Sequence, residues 1–257
     1  MAVPTDAPPK NIYRDPSIEM EEDGEYLRQL SLFVQSCTEK GIELVKIGEL
    51  IADLNQRRSF LDIGAGGGDL TIPVSSSFES TTVVEPNELQ AHRLRRRCPT
   101  FRVINDRWDN VDLGAERFEF ILCSHVLYYV PEGTWLATIE KMHDHLEPGG
   151  RIAIVIQSPI GEVAEFFSRF AQYDVNILGL WGELIRKYGD ESVEVRYFIN
   201  EIFTENLEDM VSIGLFLLID RNYRRHEDEI RKYFEARHKT PEGYRLRQDD
   251  ILLVIRK

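Results

Sequence analysis

Apolar positions change their period along this chain, and each change predicts a different element. Across residues 21–54 they recur at helical spacing: Tyr26, Leu27, Leu30, Phe33 and Val34, then Ile42, Val45, Ile47, Leu50, Ile51 and Leu54. That pattern predicts two helices parted near Thr38 and Gly41. Short apolar runs then alternate with helical patterns. Strands are expected at residues 59–63, 81–85, 101–105, 118–124 and 151–157, with helices at about 87–97 and 133–146. Strands alternating with helices predict βαβ units, hence a parallel sheet covered on both faces and wound by right-handed crossovers.

After residue 157 the rhythm breaks. Residues 159–188 are helical in pattern and rich in aromatics (Phe166, Phe167, Phe170, Tyr173, Trp181, Tyr188), which predicts a helical cap over one end of the sheet, spanning about 159–200. A helix at 205–213, a strand at 215–219, a charged helix at 227–237 and a buried strand at 251–255 complete the chain. The last two strands are expected to pair as a hairpin at the sheet edge. Residues 1–20, with Pro4, Pro8, Pro9 and Pro16, read as a tail, and 21–257 as one domain opening on N-terminal helices at 21–56. The fold class is therefore α/β, doubly wound and mostly parallel.

Composition narrows the partners. The net charge of −13 argues against nucleic acid and anionic lipid, since both are bound through a basic footprint. The run Arg93, Arg95, Arg96, Arg97 reads as a solvated helix face. There is no apolar run of membrane length and no signal-peptide core. Cys37, Cys98 and Cys123 are odd in number and widely spaced, which offers no metal set and suits a reduced, cytoplasmic compartment. A monomer or homodimer acting on a small molecule is expected.

The candidate chemistry begins where the first strand runs into glycines, Asp62-Ile63-Gly64-Ala65-Gly66-Gly67-Gly68-Asp69. Bare backbone there lets a ligand approach closely. A dinucleotide fingerprint would place a third glycine at position 69, where this chain has a carboxylate that would repel a pyrophosphate. Asp62 instead suits a ligand ammonium. Glu85, ending the second strand before Pro86, suits a ribose diol through charge-assisted hydrogen bonds. In the third connection Asp106, Arg107 and Trp108 suit an adenine ring. Each acid also has a plain structural reading: a turn former at Asp62, a helix N-terminal charge at Glu85, a cap at Asp106. Three of them on successive strand ends fit a nucleoside with an amino-acid tail.

The segments LDIGAGGGD, VVEP, NDRWD, FEFILCSHVLYYVP and LEPGGRIAIV together resemble the class I S-adenosylmethionine-dependent methyltransferases, over residues 60–157. The resemblance implies a Rossmann-like seven-stranded sheet with its last strand antiparallel. It also implies S-adenosyl-L-methionine as cofactor, with Asp62, Gly64, Gly66, Glu85, Pro86, Asp106, Arg107 and Trp108 around it, and S-adenosyl-L-homocysteine as product. A narrower similarity, to relatives of histamine N-methyltransferase, runs through Tyr26, Leu30, Phe33, Cys37-Thr38-Glu39, VVEPNELQ and VLYYV. It implies cofactor contacts at Gln90 and Ser124, substrate contacts at Tyr26, His125 and Tyr129, an amine-binding carboxylate at Glu39, and a substrate-binding amide at Gln248. His125 stands where that family has a glutamine, and residues 159–249 follow its pattern poorly.

Methyl transfer from a sulfonium is an in-line displacement in which the protein positions the nucleophile and excludes water. An amine must be neutral to attack. Glu39 can orient such a substrate, and His125 either serves as a base for an amine, phenol or ring N–H or only lines the pocket. Trp181 is a candidate pocket wall. Transfer to nitrogen is expected; the alternatives are an O-methyltransferase for a small phenol or acid, and a non-catalytic cofactor-binding scaffold. No metal is expected.

Overall fold

The structure, a computed structural model, describes residues 23–171, 176–218 and 227–257, with the side chains of 23–27 outside the described set. In chain order the elements are α1 (Asp23–Ser36), α2 (Glu39–Ala52), β1 (Ser59–Ile63), α3 (Thr71–Ser75), β2 (Ser80–Val84), α4 (Glu88–Arg97), β3 (Arg102–Ile104), β4 (Phe118–Ser124) and α5 (Trp135–Asp144). Then follow β5 (Leu146–Gln157), α6 (Glu162–Phe170), α7 (Ile177–Tyr188), β6 (Val193–Thr204), α8 (Leu207–Leu218), α9 (Glu227–Arg237), β7 (Lys239–Thr240) and β8 (Gly243–Arg256).

The sheet runs β3-β2-β1-β4-β5-β8-β6, with the two-residue β7 attached to β8. Strands β1 to β5 pair in parallel, whereas β8 is antiparallel to both β5 and β6. This is a Rossmann-like, mostly parallel sheet whose closing strand is reversed. Alternation along each strand feeds two cores. Leu61, Ile121 and Ile154 face one side with Trp135, Ile139, Leu180 and Leu184 from α5 and α7. Phe60, Phe120 and Val155 face the other with Ile47, Leu50 and Val74 from α2 and α3.

A third core lies apart from these layers. Phe33 of α1, Phe166, Phe167 and Phe170 of α6, Met210 and Ile213 of α8, and Ile230, Tyr233 and Phe234 of α9 pack together over one end of β6 and β8. This is the cap, and three separate stretches of chain build it.

The structure departs from the expectations in four places. Residues 215–218 belong to α8, and Ile219 lies outside the described residues, as does Tyr173. An apolar run in a buried helix has no polar face, so periodicity cannot separate it from a strand. The partner of the final strand is β6, which buries Phe198, Asn200, Ile202 and Thr204 on one face. The expected cap bound of about 200 therefore falls inside β6, Val193–Thr204, while the helical pattern ends at Tyr188 as read. Finally, α7 covers a sheet face through Ile177, Leu180 and Leu184 instead of joining the cap.

Candidate active site

The C-terminal ends of β1, β2 and β4 open into a cavity of 610 Å³ that the cap closes from above. Asp62, next to last in β1, is buried, and its Oδ2 accepts a 2.6 Å hydrogen bond from Thr71 Oγ1. Burial, with a lesser push from Glu85 and against the Thr71 hydrogen bond, lifts its pKa to about 7. The turn that follows is glycine for steric reasons. A Cβ on Gly64, at φ +75°, would stand 2.4 Å from Val126, while Gly66, at φ +52°, leaves open space above its backbone.

Glu85 is tied to that turn. Its Oε2 accepts from Gly66 N at 2.7 Å and its Oε1 from Asn87 N at 2.8 Å. Asn87 caps α4, and its side chain accepts from Gln90 N, which sets Gln90 against the cavity. Asp62, Gly64, Gly66, Glu85, Pro86, Gln90, Arg107, Trp108 and Ser124 all line this one cavity. Asp106 does not. Its exposed carboxylate accepts from Arg107 N at 2.7 Å and Asn110 Nδ2 at 2.9 Å, beside the short turn 108–110.

A cluster of charges forms the opposite wall. The link between α1 and α2 pairs with β6: Thr38 N donates to Glu201 O, and Glu201 N to Thr38 Oγ1. This docking turns Glu39 and Glu43, one helical turn apart, inward beneath β4 and β8. His125 follows β4 in the left-handed region at φ 55°, unusual for a residue with a Cβ. Its Nε2 lies 2.9 Å from Glu43 Oε1 and 3.4 Å from Glu39 Oε2; its Nδ1 lies 3.3 Å from Tyr128 Oη. Tyr128 Oη in turn accepts from Gln157 N. Lys40 Nζ bridges the two carboxylates, at 2.7 Å from Glu39 and 3.2 Å from Glu43. Gln248 Nε2 donates to Glu39 Oε2 at 2.5 Å and to Asp250, which also accepts from Asn200.

These contacts set the protonation states. Burial opposes ionisation of Glu39, but His125 and Lys40 outweigh it and hold the carboxyl well below its usual range. Burial likewise opposes a charged His125, yet Glu39 and then Glu43 raise its pKa to about 9. Both ring nitrogens already have partners, Glu43 at Nε2 and Tyr128 at Nδ1, and the facing carboxylates favour the charged form of the ring. Asp250 moves upward, chiefly by burial and despite His125. Glu39, Glu43 and His125 bring donor atoms within 4.8 Å of one another. The Lys40 ammonium already bridges the carboxylates, so the cluster is an ion-pair network.

Glu39, His125, Tyr129 and Gln248 share the cavity with the residues around Asp62. Trp181 is not among its lining residues; it is 38% exposed on the outer side of α7. The side chain of Tyr26 lies outside the described set. Sequence reasoning missed Lys40, Glu43, Asn200 and Asp250. Glu43 alone had a signal, the i, i+4 spacing from Glu39.

A family model for a methyltransferase domain matches residues 42–189. No curated protein matches the chain. Among solved structures, BH2331 of Bacillus halodurans C-125, designated a methyltransferase, superposes with a TM-score of 0.60 at 16% identity, covering 83% of this chain and 98% of that one. The plantazolicin methyltransferase BpumL, in complex with SAH, gives 0.57 at 13% identity and covers 96% of each chain. A SAM-dependent methyltransferase from Thiobacillus denitrificans, in complex with S-adenosyl-L-homocysteine, gives 0.50 at 14% identity over 85% of this chain and 91% of that one. At these identities the likeness is one of fold.

Proposed function

The chain belongs to the methyltransferase-domain family, and from that premise we propose that it transfers the methyl group of S-adenosylmethionine to nitrogen in a small molecule. The observation that carries this reading is the pairing, in one cavity, of the buried Asp62 carboxylate with Glu85 across an open glycine turn. The cofactor's amino-acid ammonium would supply the counter-ion that Asp62 lacks. Its ribose would meet Glu85, and its adenine Gln90, Arg107 and Trp108. When bound, S-adenosylmethionine supplies an activated sulfonium methyl. BpumL and the Thiobacillus enzyme were both crystallised with the demethylated product, which supports the same ligand here.

Nitrogen is favoured over oxygen by the state of His125. A hydroxyl or phenol must lose its proton to become an effective nucleophile, and the ring nitrogens of His125 are already taken up by Glu43 and Tyr128. A neutral nitrogen attacks with its own lone pair and sheds its proton afterwards. Glu39, ionised and hydrogen-bonded by Gln248, is placed to accept an N–H from such a substrate. The narrower likeness to histamine N-methyltransferase relatives points the same way. The acidic net charge favours a small-molecule substrate over nucleic acid, and the cysteine usage fits the cytoplasm.

Calorimetry with S-adenosylmethionine and S-adenosylhomocysteine tests the premise, and transfer of labelled methyl to amines against phenols tests the atom. Binding of neither ligand would remove the enzyme reading. Transfer to phenols alone would reverse the choice of nitrogen.

A further inference from the structure

Resting on the transferase reading above, we infer that the acceptor is an apolar-bodied compound carrying a neutral, weakly basic nitrogen of the arylamine type, bound with its body against the cap and its N–H at Glu39. Two independent features of the cavity lead there.

The first is the wall. On the side away from the glycine turn the cavity meets Leu30, Phe33 and Val34 of α1, Phe167 of α6, and Phe216 and Leu217 of α8. All of these but Leu30 belong to the cap core or pack against it, and none carries a charge. A polar body such as a sugar would surrender its water to this wall and gain no hydrogen bonds from it. A planar apolar body gains contact area instead.

The second is the charge balance at the head. Glu39 and Glu43 are met by Lys40 and His125 at 2.7–3.4 Å, and burial favours the neutral form of the neighbouring Asp250. An uncompensated carboxylate would hold an alkylamine as its ammonium, which has no lone pair to give. Here the compensation is already made within the protein. A cationic substrate would meet Lys40 and His125 beside Glu39, and an anionic one would meet Glu39 itself. A neutral N–H donor meets neither penalty. In the transfer the nitrogen lone pair forms the new N–C bond while the C–S bond breaks toward sulfur. The methylated nitrogen then releases its proton to Glu39 and onward to water.

The test uses one ring with three charges. Aminonaphthalene, naphthylmethylamine and naphthoate are titrated into the protein saturated with S-adenosylhomocysteine, and the same compounds are offered with labelled S-adenosylmethionine. The neutral arylamine should bind and be methylated, with the ammonium and the carboxylate each weaker by about tenfold or more. Phe167→Ser and Phe216→Ser should weaken aminonaphthalene about tenfold, Phe216→Leu far less, all without change in S-adenosylhomocysteine affinity. That affinity also reports a folded cofactor half. Equal or tighter binding of either charged probe overturns the inference. So does indifference of aminonaphthalene to the serine variants, or failure of every probe on protein that still binds S-adenosylhomocysteine. Loss of S-adenosylhomocysteine binding itself would instead strike the transferase reading.

Discussion

Asp62 and His125 carry opposite charge anomalies, and each makes a prediction of definite sign. Asp62 is lifted from 3.8 to about 7 by burial, so near neutrality the ligand-free protein holds a proton there part of the time. A ligand ammonium would restore the ionised carboxylate and expel that proton. Cofactor affinity should therefore rise as pH increases through about 7, and calorimetry in buffers of different ionisation heat should detect proton release. Asp62→Asn should abolish the release and weaken binding by about 1.5–3 kcal/mol, the worth of a hydrogen bond to a charged group. Pronounced proton release in Asp62→Asn would refute the assignment. For His125 the folded pKa is raised from 6.5 to about 9. Its contribution to stability is complete below about 6.5 and is lost as pH rises through about 9. The facing groups are Glu39, Lys40 and Glu43 on α2, Asp250 on β8, and the Tyr128 hydroxyl. Nitrogen-detected NMR of the imidazole should place its midpoint near 9, and Glu43→Gln should move it down. An unmoved midpoint would show that Glu43 does not hold the ring.

At the scale of elements, the cap hangs on α1. Phe33 is buried and meets the Phe216 ring at 5.5 Å, joining the N-terminal helix to α8. Phe33→Ala should cost about 3–5 kcal/mol of local stability. Hydrogen exchange should show lost protection in α1, α6 and α8, with β1, β4 and β5 little changed; uniform loss would mean that cap and sheet form one cooperative unit. The same division explains what could be read from the chain alone. Strands β1 to β5 were legible because each contains a short apolar run punctuated by turn residues, as at Gly64-Ala65-Gly66-Gly67-Gly68 after β1, although β5 begins at Leu146, ahead of the expected residue 151. That Asp62 and Glu85 would meet at one cavity was legible because they stand at the C-terminal ends of adjacent strands. β6 was not. Its buried face carries the polar Asn200 and Thr204 while its exposed face carries Val195, Tyr197 and Ile199, so hydropathy does not follow the alternation of burial. The charge cluster was equally hidden, because Glu43, Asn200 and Asp250 come together only when α2, β6 and β8 pack.

For the molecule as a whole, the cavity lies between two cores that contact different stretches of chain, the sheet with its covering helices and the four-helix cap. A ligand filling it touches both, and an unfolded chain has no such site. Binding must then stabilise the fold by mass action, by about 2.7 kcal/mol when free ligand stands at 100 times its dissociation constant. For a domain of this size each kcal/mol moves the melting temperature by about 2–4 °C, so S-adenosylhomocysteine should raise it by about 5–11 °C. Asp62→Ala should show a smaller rise at the same ligand concentration, and the deficit should level off at a constant value as ligand is increased, since the two rises then differ only by the ratio of dissociation constants. Exchange protection gives the second half of the argument. If the cofactor half alone is engaged, ligand should slow exchange around β1, β2 and β4 but leave the cap as it was. Slowing that extends into α1 and α8 on addition of an acceptor would show that the cap closes over the second substrate. An unchanged melting temperature at saturating S-adenosylhomocysteine would leave the glycine turn and its two carboxylates without the ligand assigned to them.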